Sequence, residues 1–90
     1  MRKHMIKIIF YESVQNHSGC ESIELELVET LIHLIDELGE RLEDDFKEYL
    51  LREDTCFFLI NGKSIQRTGG LNTKLKPNDK IEVLPLVEAG

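Results

Sequence analysis

Ile81-Glu82-Val83-Leu84-Pro85-Leu86-Val87-Glu88-Ala89-Gly90 is the stretch from which the rest of the chain is best read. It opens as an alternating strand. Proline has no N–H to give a sheet ladder, so the strand is expected over Lys80 to Leu84, with Pro85 ending it. Beyond Pro85 the side chains shrink toward a glycine, and no Gly/Ser-rich linker or further domain is expected after it. Two readings stay open. The tail presents its α-carboxylate to something, or it is a frayed end of the kind most domains have.

Working back from that strand, Pro77-Asn78-Asp79 is a turn. Leu71 and Leu75 are expected to fill the core from an irregular crossover. Gly69-Gly70 lacks the full phosphate-loop pattern and is read as a turn. Lys63 to Gln66 is a short strand. It is joined to a strand at Cys56 to Ile60 by Asn61-Gly62, the hairpin pair in which both positions tolerate φ > 0. Before these lies the helical part. Thr30 is a candidate cap. Leu31, Leu34, Ile35 and Leu38 share one stripe. Gly39 is read as a stop, with a second helix over about Glu40 to Leu51 carrying Leu42, Phe46, Tyr49 and Leu50; one helix bent at the glycine is the alternative. His33 lies off the stripe and is read as a surface residue. Ser22 to Leu27 alternates, with Ile23, Leu25 and Leu27 on one face. Glu12 to Glu21 reads as a loop containing Asn16, Ser18 and Gly19. Met5 to Tyr11 reads as a strand with Ile6, Ile8 and Phe10 on one side and Lys7, Ile9 and Tyr11 on the other.

Ninety residues make one domain, able to bury only about 60–65% of the surface its unfolded chain exposes. The apolar share of 41% and charged share of 31% are those of a soluble globular protein. No run reaches the ~18 apolar residues of a membrane span. The basic start Met1-Arg2-Lys3-His4 has no small-residue cleavage site after it and is not read as a signal peptide. Cys20 and Cys56 match no metal spacing, and no metal site is expected. Both are read as reduced thiols in a cytoplasmic protein. The net charge is −6, which is poorly suited to nucleic acid. It is unevenly placed. Asp36 to Asp54 holds nine acids and three bases, while Asn61 to Lys80 holds five bases and one acid. The acidic run is either a solvated helix face or a docking surface for a basic partner.

Strand, strand, helix, strand, strand, strand is an α+β order. The expected packing is a mixed sheet of four to five strands with one face covered by helix. The first and last strands lie side by side, parallel, at its centre. Residues 1–4 are an extension, 5–84 the domain and 85–90 a flexible tail. Ile6, Ile8, Phe10, Ile81 and Val83 then face the helices. Ile9, Tyr11 and Leu84, with Leu86 and Val87 beyond, fall on the bare face. They are either a partner-binding patch or scattered surface apolars.

This order resembles the ubiquitin-like β-grasp fold, and in detail the sulfur carriers of the MoaD and ThiS families. The matching pieces are Met5-Ile6-Lys7-Ile8-Ile9-Phe10-Tyr11, Ile60-Asn61-Gly62-Lys63, and Leu75-Lys76-Pro77-Asn78-Asp79-Lys80-Ile81 leading to Pro85-Leu86-Val87-Glu88-Ala89-Gly90. ThiS-like carriers have less helix, so the acidic helical run favours the MoaD-like branch, the small subunit of molybdopterin synthase. The resemblance implies that the Gly90 carboxylate is the reacting group. An adenylating enzyme of the ubiquitin-activating type would use ATP and magnesium to activate it. A persulfide sulfur donor would convert it to a thiocarboxylate. The synthase large subunit would then take the sulfur for a pterin. Ile9, Tyr11, Leu84, Pro85, Leu86, Val87, Glu88 and Ala89 would be the partner-binding residues. No catalytic side chain, bound cofactor, nucleic acid or membrane enters this scheme. Ala89 departs from the family, which ends in two glycines; alanine costs about 1 kcal/mol or more there if φ must be positive, and little if the backbone is extended. A protein modifier conjugated through Gly90 and a non-catalytic interaction module are the alternatives.

Overall fold

The computed structural model describes residues 4–42, 44–52 and 55–86. The elements are β1 (Met5–Phe10), α1 (Glu12–Ser18), β2 (Ser22–Glu26), α2 (Leu31–Arg41), α3 (Asp44–Leu51), β3 (Cys56–Ile60), β4 (Lys63–Ser64) and β5 (Lys80–Pro85), with single 3-10 turns at Ile65–Arg67 and Gly70–Asn72. The strands form one mixed sheet in the order β2-β1-β5-β3-β4. β1 and β5 are parallel neighbours at its centre, and the other pairs are antiparallel.

Alternation along each strand divides the sheet into two faces. On one face Ile6, Ile8, Phe10, Leu25, Phe58, Ile60, Ile81 and Val83 meet Leu31, Leu34, Ile35 and Leu38 of α2 and Phe46 and Leu50 of α3, all buried. Phe10 and Phe46 touch edge to face, with ring centroids 5.5 Å apart. Each such side chain, taken wholly out of water, stabilises the fold by roughly 1.5–3 kcal/mol.

Turn chemistry fixes where β5 begins. Asn61 (φ 52°) and Gly62 (φ 86°) form the tight turn between β3 and β4. The Asn61 side chain donates to Asp79 Oδ1 at 2.8 Å and accepts from the Lys80 amide at 3.0 Å. Asp79 Oδ2 accepts from the Lys76 amide at 2.8 Å. The Asn78 amide donates to the Met5 carbonyl at 2.8 Å. One buried carboxylate thus joins the hairpin, the turn before β5 and, through the backbone, the start of β1.

Five sequence expectations are corrected. Glu12 to Ser18 is a helix rather than a loop. Its inner side is Val14 and Ser18, one turn apart and both buried, which leaves almost no apolar stripe to detect. Gly19 (φ 79°) closes it, donating to the Gln15 carbonyl. Gly39 is not a helix stop: α2 runs on to Arg41. A Cβ on Gly39 would stand 2.8 Å from Lys47 Cβ of α3, so the glycine is there for helix–helix approach. Leu71 is exposed rather than in the core, and only Leu75 fills it. The strand expected over Lys63 to Gln66 is two residues long before the 3-10 turn takes over. Finally, Pro85 lies within β5, opposite Cys56. Its nitrogen shares the side on which the Val83 carbonyl accepts from Tyr11, where β1 has already ended, so the missing N–H costs no ladder bond.

Candidate functional site

The uncovered face of the sheet and the point where the chain leaves β5 form one region. Residues opposite each other in register share a face. Ile9 lies beside Glu82, Glu82 beside Leu59, and Leu84 beside Phe57. Ile9, Tyr11, Leu59 and Leu84, half-buried, and Phe57, exposed, make an apolar strip around Glu82 on the face away from the helices. Ile9, Tyr11 and Leu84 are therefore brought to one face, as their alternation requires. Phe57 and Leu59 were missed. Cys56-Phe57-Phe58-Leu59-Ile60 is an unbroken apolar run, and only its pairing with β5 reveals which members turn outward.

A carboxylate sits within this strip. Tyr11 Oη donates to Glu82 Oε2 at 2.6 Å. That hydrogen bond, helped by partial burial and the Glu82 charge, pushes the phenol pKa above the ordinary tyrosine range. Lys7 and Lys80, opposite each other in register, stand at one end of the strip.

At the other end the chain departs. The Leu86 amide donates to the Thr55 carbonyl at 3.1 Å, continuing the β5–β3 pairing one step past Pro85. Leu86 is exposed. Val87, Glu88, Ala89 and Gly90 lie outside the described residues. Pro85 and Leu86 thus bring the chain to the sheet's end beside Thr55, four residues before Gly90.

Cys56 is a free, buried thiol whose pKa is pushed up by burial, which disfavours the thiolate. Cys20 is free and half-buried beside the core. Among the described residues no three His, Cys, Asp or Glu side chains are grouped to hold a metal ion, and no helix is long and apolar enough to cross a membrane.

Comparison with known proteins bears on what such a strand and tail serve. The ThiS family pattern matches residues 8–90. This chain belongs to the ThiS family. It is a family of ubiquitin-like sulfur carriers. Among curated proteins none matches the sequence. Solved structures share the ubiquitin-like β-grasp fold. Small archaeal modifier protein 1 of Methanosarcina acetivorans superposes with a TM-score of 0.79 at 23% identity, over 100% of both chains. A candidate molybdopterin converting factor subunit 1 of Pyrococcus furiosus gives 0.75 at 24% identity over 92% of this chain and 98% of that one. CysO of Amycolatopsis orientalis, solved in complex with BexX, gives 0.76 at 23% identity over 94% of this chain and 99% of its own.

Proposed function

We propose that this protein is a sulfur carrier and that Gly90 is its working group. The observation that carries this reading is the placement of β5 in a ThiS-family domain. The strand lies at the centre of the sheet, is held on both sides, and releases the chain at Leu86 beside an apolar strip. A carboxylate is a poor acyl donor because oxide would have to leave. An adenylating partner first joins Gly90 to AMP, using ATP and magnesium and releasing pyrophosphate. The terminal sulfur of a persulfide donor attacks the acyl carbon and AMP departs. A second thiol then cleaves the acyl disulfide, leaving the thiocarboxylate on Gly90 and a disulfide on the donor. We assign this chemistry to the cytoplasm, where ATP is supplied.

The pterin precursor of molybdopterin is the acceptor we assign, with the synthase large subunit as the second partner. The likeness to a molybdopterin converting factor subunit supports that assignment, and the CysO–BexX complex supports a carrier domain that works by docking. Both partners use the strip of Ile9, Tyr11, Leu59 and Leu84 and grip Pro85 to Ala89, so they bind in turn. The slim end lets the tail enter a narrow active site, and Ala89 places one methyl there, accommodated if that backbone is extended.

A second reading, conjugation of Gly90 to lysines of other proteins, is favoured by the likeness to a small archaeal modifier. It shares the adenylation step and diverges after it. Incubation with the adenylating enzyme, ATP and a persulfide donor separates the two. A thiocarboxylate competent to sulfurate the pterin supports the carrier. Isopeptide-linked ladders in cell extract, without sulfuration, would replace it with the modifier.

A further inference from the structure

The four most exposed large apolar side chains among the described residues are Leu51, Phe57, Leu71 and Leu86. They come from α3, β3, the second 3-10 turn and the end of β5. All four line one cleft of about 530 Å³. Its cause is the shortness of β4, which pairs only with Leu59 and Ile60 and leaves Cys56 to Phe58 without a strand beside them on that side. Arg52 is the one charged side chain among the described lining residues. It has no ion-pair partner among the described residues.

Position gives this cleft a role. Leu86 is part of its wall, and Gly90 follows four residues later. Four extended residues span at most about 14 Å. Any enzyme that encloses Gly90 therefore has its body against this end of the domain. The cleft also continues from the uncovered face, since Phe57 lies beside Leu84 in the register. Resting on the reading of Gly90 given above, we infer that the cleft is a second docking point for the tail-adenylating enzyme. That enzyme inserts an apolar side chain between Leu51 and Leu71 and sets a carboxylate against Arg52. Desolvated apolar anchors of this kind carry most of the energy of an interface, and a charge at the rim governs approach and salt sensitivity.

The test uses the full chain and the adenylating enzyme of the same organism, followed by pyrophosphate release. Leu71→Glu, at an exposed site, is expected to raise the KM for the carrier about tenfold with kcat little changed. Circular dichroism and thermal unfolding of the variant stay as in the parent. Arg52→Gln is expected to raise KM less and to flatten its dependence on salt. If the parent chain is processed and both variants behave like it, the cleft inference fails while the reading of Gly90 stands. If the parent is not processed, both fail. A lowered KM in Leu71→Glu would mean that the chain's own tail occupies the cleft. A dimer of the parent lost in Leu71→Glu would mean that a second copy does. Either result overturns the assignment to the enzyme.

Discussion

Strand β5 carries the two faces of the sheet in alternate residues. Ile81 and Val83 are wholly buried in the core shared with α1, α2 and α3, while Glu82 and Leu84 on the other side are half open. The helices above the covered face are closely packed on each other, to the point that Gly39 of α2 has no room for a methyl group beside Lys47 of α3. The uncovered face has an apolar strip interrupted by a carboxylate and edged by lysines. The difference separates two jobs within one strand. One face holds β5 in place, and the other is the one our proposal gives to partners of the chain's end.

The comparison breaks most directly at Ile81. Ile81→Ala opens a cavity among fully buried neighbours and is expected to cost about 2–5 kcal/mol in denaturant unfolding. A loss below ~1 kcal/mol would mean that the covered face is not the one that holds the fold. Gly39→Ala sharpens the same point with the opposite intuition. Helix propensity favours alanine by about 1 kcal/mol, yet overpacking against Lys47 costs ~1–3 kcal/mol. The expected net is a loss of about 1 kcal/mol in the same unfolding measurement, and a gain would show that α2 and α3 separate easily.

On the other face the order of effects inverts. Leu84→Ser is expected to change stability by only about 1 kcal/mol, as partly exposed sites do. It should raise the carrier KM of the adenylating enzyme with kcat held. The smallest effect is a titration. Because Glu82 accepts the Tyr11 proton bond, folded Tyr11 keeps its proton to higher pH than the unfolded chain. Its contribution to stability is complete below the ordinary tyrosine range and is lost as pH rises through the raised folded value. Phenolate absorbance in the parent should therefore rise at higher pH than in Glu82→Gln. Coincident curves would remove the Tyr11–Glu82 pair from the strip.

Much of the covered face was legible because helix and strand periods place Leu31, Leu34, Ile35, Leu38, Ile6, Ile8 and Phe10 without knowledge of pairing. The Asn61-Gly62 turn was equally legible, because few pairs of residues tolerate two positive φ values. What stayed hidden depends on contacts between distant residues. Gly39 looks like a stop until Lys47 is seen against it. Leu71 and Leu75 look equivalent, four residues apart, until one is found in the core and the other on the cleft. Phe57 and Leu59 are lost in an apolar run until β5 lies beside them. The helix at Glu12–Ser18 rests on one apolar side chain, Val14, too little for a periodic pattern. Of the candidate site, Ile9, Tyr11, Leu84 and the face of Glu82 follow from alternation alone, whereas Glu82's place beside Ile9 emerges from the register of β1 against β5.

The central claim is that the reacting group belongs to the backbone at Gly90 and that the folded domain delivers it. Intact-mass measurement after incubation with the adenylating enzyme, ATP, magnesium and a persulfide donor tests it most directly. The account predicts a gain equal to exchanging one oxygen for one sulfur, located at Gly90 by fragmentation and absent when Gly90 is deleted. An unchanged mass for the parent chain, or the same gain in the chain lacking Gly90, would contradict it.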